Sequence, residues 1–323
     1  MIHSFIFSDG KLVGRDLELE ALRLVRADKG LIVWVDLDNP TDDEIKAVLE
    51  GVFQFHPLAI EDCVAPSDLP KIEDYEDYLF MVTHAVDFSR SDKFATTELD
   101  MFLGKDYLVT FHRQPLKSVT ALIERAAKNT ALAPRGPDRL AHTLLDLMVD
   151  HFAPVIDELR GELEEIEESV LQQAAQQDIV NQLIHVRGDF TKLRQIIRPQ
   201  RDVIERLARG DTKMIRPKML PYFRDLRDHL ARYEDTVVGY HERLMMSFDI
   251  YLNKAAFEAN EGIKFLTALT AITIPVMVVG TWYGMNFEHM PELRGRHSYY
   301  LALGVTLFFT TVTYIYLKRK RWF

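Results

Sequence analysis

Tyr283-Gly284-Met285-Asn286-Phe287, followed closely by Met290-Pro291-Glu292-Leu293, joins the only two stretches of this chain that are apolar and uncharged enough to cross a bilayer. Residues 265–283 contain no Asp, Glu, Lys, Arg or His, and neither do residues 298–317; each run is close to the ~20 residues that a hydrocarbon core requires. Both read as transmembrane helices. Lys318, Arg319, Lys320 and Arg321 follow the second run directly, and a basic cluster beside a span is held on the cytoplasmic side. The tail is therefore expected inside. With two crossings the long segment before the first run is expected inside as well, and 284–297 outside. Residues 1–10 are too short and mixed for a leader, so no cleaved signal peptide is expected.

Working outward, the membrane part is a minor C-terminal addition to a large hydrophilic segment, since the 323 residues are 47% hydrophobic and carry a formal charge of −10. Excess acid argues against nucleic acid as a partner and is compatible with divalent cations, although a solvated acidic surface is its commoner cause. Cys63 is the only cysteine. That excludes a disulfide framework and a cysteine-based zinc site, and it suits a reducing compartment.

The first part of the chain alternates strand and helix patterns. Residues 3–7, 31–37, 78–88, 98–103 and 107–112 are rich in β-branched and aromatic residues, with Gly104-Lys105-Asp106 as a hairpin loop between the last two. Thr41 followed by Glu44 forms a capping box ahead of Ile45, Val48 and Leu49. These patterns predict a mixed α/β domain over 1–135. After Pro134-Arg135-Gly136-Pro137 the pattern becomes helical: Leu140, Leu144, Leu147, Val155, Ile156, Leu159, Leu163, Ile166 and Val170 recur at helical spacing, with Pro154 allowing a bend. A second helix is expected over about 178–209, ended by Gly210-Asp211, and long cytoplasmic helices thus fill 136–220. A third runs from near Pro221 to Tyr283 with no stop signal, a rod of roughly 90 Å at 1.5 Å per residue. It reads as a stalk continuing into the first span, followed by the external loop 284–297, the second span 298–317 and the basic tail 318–323.

Steps of four and three from Asp249 visit Asn253, Ala256, Asn260, Ile263, Thr267, Thr270, Ile274, Met277, Thr281 and Gly284. This heptad-type seam is the kind that faces a neighbouring helix or a shared axis. It is uncharged after Asp249 yet too polar for a greasy zipper, whereas Phe257, Phe265, Leu266, Leu269, Ile272 and Val278 occupy the other faces. One reading is a seam that lines water; the other is a close-packed interface, because Thr, Ala and Gly also serve tightly apposed membrane helices. Two spans enclose no aqueous path alone, so a path requires an axis shared by several copies. Rings of Asn260 amides and constrictions of Ile263, Ile274 and Met277, which gate by shedding water, would then follow. Asn286 would add a carbonyl ring at the mouth. Neutral oxygens suit Mg²⁺, which gives up its hydration waters reluctantly.

The Tyr-Gly-Met-Asn sequence at 283–286, Met-Pro-Glu-Leu at 290–293, the terminal second span and the basic end resemble the CorA family of divalent-cation channels. The resemblance extends to Pro70-Lys71-Ile72-Glu73 and to His56-Pro57-Leu58-Ala59-Ile60-Glu61-Asp62, and so covers nearly the whole chain. It implies a homopentamer with a funnel-shaped α/β cytoplasmic domain, a long helical stalk and a first transmembrane helix lining the central pore. It implies Mg²⁺ as the transported ion, with Co²⁺ and Ni²⁺ accepted, and no organic cofactor. By the same resemblance Asn286 forms the selectivity ring, Gly284 and Met285 shape the loop, Tyr283 braces it, and Asn260, Ile263, Thr267, Thr270, Ile274 and Met277 face the pore. Regulatory Mg²⁺ is implied at Asp249, with Asp87 and Asp92 as candidate partner acids. The implied location is the cell membrane, both termini cytoplasmic, with membrane lipid and divalent cations as partners.

Two rivals remain. A ZntB-like zinc transporter shares this architecture, although no HExxH or closely spaced histidine pair marks a zinc centre. A membrane-anchored cytoplasmic sensor or enzyme is the other, but the sequence contains no phosphate-binding glycine loop and no GxSxG elbow. The acidic run 158–168 reads as a solvated helix face. Influx of a divalent cation needs no ATP site, because an interior-negative potential favours it by about 4.6 kcal/mol per 100 mV.

Overall fold

The computed structural model describes residues 1–28, 30–87, 95–127, 136–172, 177–286, 288, 290–291, 295–320 and 322, without the side chains of 87, 95 and 177. Two compact units result: Met1–Leu171 with Asp178–Met246, and Gln172–Gln177 with Ser247–Phe323.

The first unit is built on a seven-stranded sheet of order β2-β1-β3-β7-β6-β5-β4. Its strands are β1 (Ile2–Ser8), β2 (Lys11–Arg15), β3 (Ile32–Asp38), β4 (Lys71–Asp74), β5 (Tyr78–Asp87), β6 (Ala95–Gly104) and β7 (Tyr107–His112). Among the described residues only β3 and β7 pair in parallel. The Gly104-Lys105-Asp106 turn joins antiparallel β6 and β7 with Leu103 opposite Leu108, as the sequence predicts. β7 is buried along its whole length, as happens when a sheet is covered on both faces. On one face Val33, Val35 and Leu37 pack with Phe80, Phe102 and Val109 beneath Val48, Leu49 and Ala59. Phe102 lies at the centre of this core, its ring 4.1 Å from that of Phe55 and 4.8 Å from that of Phe80.

The opposite face carries a polar thread through otherwise apolar packing. Trp34 Nε1 donates to Thr110 Oγ1 at 3.1 Å, and the Thr110 hydroxyl donates to Asp36 Oδ1 at 2.5 Å. His112 Nε2 stands 3.4 Å from Asp36 Oδ2. Burial works to lower the His112 pKa, but the adjoining Asp36 carboxylate, the Gln114 carbonyl and the charge of Asp38 together outweigh it and the net shift is upward.

Helix α1 covers Leu19–Ala27, and α2 (Asp42–Ile45) widens into a π-helical stretch, Lys46–Val52. The expected capping box is present, with Glu44 N donating to Thr41 Oγ1 and Thr41 N donating to Glu44 Oε2. Helix α3 (Pro57–Val64) begins where His56 Nδ1 accepts from Leu58 N, with Pro57 at the first position. After α4 (Lys117–Ala127) come α5 (Pro137–Asp150), α6 (Phe152–Gln172), α7 (Gln177–Arg209), α8 (Leu220–Tyr283) and α9 (Ser298–Arg319).

The sequence suggests one helix over 140–170 bent at Pro154, whereas the chain breaks at His151. Pro154 then falls in the first turn of α6, where a missing N–H costs no intrahelical hydrogen bond. Within this unit, Arg201 pairs with Glu234 at 2.5 Å and Arg243 with Glu167 at 2.7 Å. Arg216 grips Asp138, a carboxylate only 1% exposed, from its backbone N and its guanidinium.

Candidate functional site

Helix α8 supplies the site. Its last third and α9 are each long and apolar enough to cross a membrane by length and composition. Within Ser247–Phe323 the helix presents distinct faces. Ala268 is fully buried and Ile272, Pro275, Val279 and Tyr283 are half-buried. Asn260, Ile263, Thr267, Thr270, Ile274, Met277 and Thr281 are all exposed. At 100° per residue, Ile272 and Val279 lie roughly 160° from Ile274 and Met277. The uncharged seam thus runs along a side that the described residues leave uncovered.

The seam threonines have a shared geometry. Thr267 Oγ1 donates to the Ile263 carbonyl at 2.7 Å, Thr270 Oγ1 to the Leu266 carbonyl at 2.9 Å, and Thr281 Oγ1 to the Met277 carbonyl. Each hydroxyl proton is spent on the helix one turn back. What remains outward is oxygen with free lone pairs, which accepts hydrogen bonds but has none to give. Water molecules bound to a cation point their hydrogens outward, so a column of acceptors matches a hydrated cation better than a bare one.

The helix stops at the Gly-Met-Asn turn. Gly284 N still bonds the Gly280 carbonyl at 3.0 Å and Met285 N reaches the Trp282 carbonyl at 3.4 Å, after which Asn286 stands exposed outside the helix. A Cβ on Gly284 would sit 3.0 Å from the Gly280 carbonyl oxygen; a side chain there would need the helix end to shift. Glu288 is exposed; Glu292, Leu293 and His289 lie outside the described residues. Asp249 is an exposed residue of α8. Of its candidate partners, Asp92 lies outside the described residues, as does the Asp87 side chain.

A cavity of about 230 Å³ in the first unit involves residues that the sequence did not mark. It is lined by Cys63, Glu98, Asp100 and His112 among others. Asp100 is 1% exposed, and burial followed by the charge of Glu98 pushes its carboxyl well above the usual range. Burial raises Glu98 too, against the Ser67 amide that bonds it at 3.0 Å. Burial likewise raises the Cys63 thiol. The available signal was two acids at i and i+2 on the inward side of a strand. Among the described residues no three His, Cys, Asp or Glu side chains converge as metal ligands.

The sequence model described as CorA-like Mg2+ transporter protein matches residues 29–319. The chain belongs to the CorA-like Mg²⁺ transporter family. The cobalt/magnesium transport protein CorA of Thermotoga maritima is 27% identical to it over 91% of this chain and 84% of its own length. The full-length structure of the CorA magnesium transporter from Methanocaldococcus jannaschii superposes with a TM-score of 0.82, covering 99% of this chain and 98% of that one at 20% identity. This CorA fold, an α/β unit followed by a long helix and two apolar C-terminal helices, is the one the sequence predicts. The cytoplasmic domain of ZntB from Vibrio parahaemolyticus shares the fold of the soluble part, with a TM-score of 0.63 over 80% of this chain at 12% identity.

Proposed function

We propose that this protein is a homopentameric channel for influx of hydrated Mg²⁺, and of Co²⁺ and Ni²⁺, with α8 of each copy around a common axis. The observation that carries this reading is the exposed, uncharged seam from Asn260 to Thr281, whose threonine oxygens point lone pairs outward and which ends at the Gly-Met-Asn turn. Asn286 forms the ring at the mouth, its carbonyls accepting from the ion's waters while Gly284, Met285 and Tyr283 set the loop. Ile263, Ile274 and Met277 form the apolar constrictions. Both termini are cytoplasmic, and the membrane potential drives entry. Mg²⁺ bound at Asp249, with Asp87 or Asp92 across the subunit boundary, favours the closed state by a population shift.

The family membership supports a transporter over a membrane-anchored enzyme. The resemblance of the soluble part to a ZntB domain keeps zinc as the second reading, so the test compares ions. Mg²⁺, Co²⁺ and Zn²⁺ uptake is measured in proteoliposomes for the wild type and Asn286→Ala. The expected outcome is Mg²⁺ and Co²⁺ flux in the wild type and a loss of about a hundredfold or more in the variant, corresponding to roughly 2.7 kcal/mol in the barrier. Zn²⁺ flux without Mg²⁺ flux would favour the zinc reading. Flux indifferent to Asn286 would remove the ring.

A further inference from the structure

The last turns of α8 and the first turns of α9 border an open cleft of about 500 Å³ that the transport reading does not use, a size within the range of small-ligand sites. Val276, Gly280 and Tyr283 form one wall; Arg296, Tyr299 and Ala302 belong to the other. The mean direction of the wall on α8 lies roughly 130° around the helix from that of Ile274, Met277 and Thr281, so the cleft opens away from the seam. The described residues do not fill it. A Cβ built on Gly280 meets nothing within 4 Å, and Val276 and Tyr299 are 53% and 74% exposed.

In a bilayer such a space is occupied, because an empty gap forfeits the dispersion contacts of its walls. Water is a poor occupant: the walls are largely aliphatic and aromatic, and the one threonine on them, Thr306, spends its hydroxyl on the Ala302 carbonyl at 2.8 Å. The mouth is different. Arg296 and Ser298 line it with Tyr283 and Tyr299, and Trp282 and Tyr300 are their sequence neighbours, aromatic residues of the kind that settle at headgroup depth. A guanidinium at that depth matches a phosphate in charge and in fork geometry. The spans of a second copy bring no such anion, since 265–283 and 298–317 contain no acid.

We propose that the cleft holds one acyl chain of an anionic phospholipid whose phosphate is met by Arg296. The proposal rests on the reading of α8 and α9 as membrane spans. It is tested with the full chain carrying Trp322→Phe, reconstituted in phosphatidylcholine vesicles with a minor fraction of either brominated phosphatidylglycerol or brominated phosphatidylcholine. Quenching of Trp282 is the readout, Trp34 being sealed in the sheet core. The anionic lipid is expected to be preferred about fivefold, the preference one cation near the surface confers. Arg296→Ala abolishes that preference, and so does Ala302→Phe, which keeps the charge and fills the space. Excess inorganic phosphate leaves it intact, separating a lipid headgroup from a free anion. Equal quenching by the two lipids in the parent protein, a preference that survives Ala302→Phe, or one abolished by phosphate overturns the site. Absence of quenching by either lipid overturns the membrane reading with it.

Discussion

The sheet unit and the far half of α8 solve opposite problems. In the first, every residue of β7 is buried, and Trp34, Thr110 and Asp36 join in a chain of hydrogen bonds through the core. In the second, Ile263, Phe265, Leu266, Ile274 and Met277 are between 50% and 65% exposed. No soluble monomer leaves such a surface bare. One region is finished by its own chain, while the other, in the channel proposed above, is finished by lipid and by further copies. Mutations should therefore register differently: as stability in the sheet unit, as transport in the helix.

The largest stability effect is expected at Phe102, fully buried and stacked on Phe55. Phe102→Ala should cost about 3–5 kcal/mol, from lost transfer free energy plus a cavity among stiff neighbours. Denaturant unfolding monitored by Trp34 fluorescence checks this, and a cost below about 1 kcal/mol would break the contrast by showing a loosely packed core. On the helix the paired change Thr267→Val with Thr270→Val keeps shape and β-branching. It should move stability by less than about 0.5 kcal/mol. Mg²⁺ flux should fall by up to about tenfold, the equivalent of one ordinary hydrogen bond's worth of barrier. Equal flux would show that the seam is a packed interface, the alternative that its small residues also allow.

What was legible in the sequence followed from period and charge. The interior strands, the capping box at Thr41 and the extents of α7 and α8 stood out because each repeats one strong local pattern. The short edge strands β2 and β4 did not. Lys11–Arg15 and Lys71–Asp74 carry charges along a run too brief to alternate convincingly, which is how edges are blunted against further pairing. The break at His151 was hidden as well, since the proline three residues on, a residue that allows a bend within a helix, here lies in the first turn of a new one. The seam was readable as a period but ambiguous in meaning. In the structure its residues are exposed, as are Phe257, Phe265, Leu266, Leu269 and Val278 on other faces, with Ala268 and Ile272 turned inward. The buried Asp100 and half-buried Glu98 were not legible because a single strand does not reveal which of its faces are covered.

Those acids give the smallest and most specific effect. The Asp100 and Glu98 carboxyls have folded pKa values above their unfolded ones, chiefly through burial. A raised carboxyl binds its proton more tightly when folded, so this contribution is fully present below the unfolded carboxylate range. It is lost as pH climbs through the folded values. Wild-type stability should decline on this account as pH rises above the ordinary carboxylate range. Asp100→Asn keeps the shape, needs no proton and removes the repulsion with Glu98. Its melting temperature should exceed the wild type's at pH 8 by about 2–4 °C, the shift expected for roughly 1 kcal/mol in a unit of this size, and the gap should close toward pH 5. Differential scanning calorimetry at both pH values measures it. A gap that is constant with pH would mean that Asp100 stays ionised in the fold, and the cavity beside Cys63 would then have to hold a compensating positive charge.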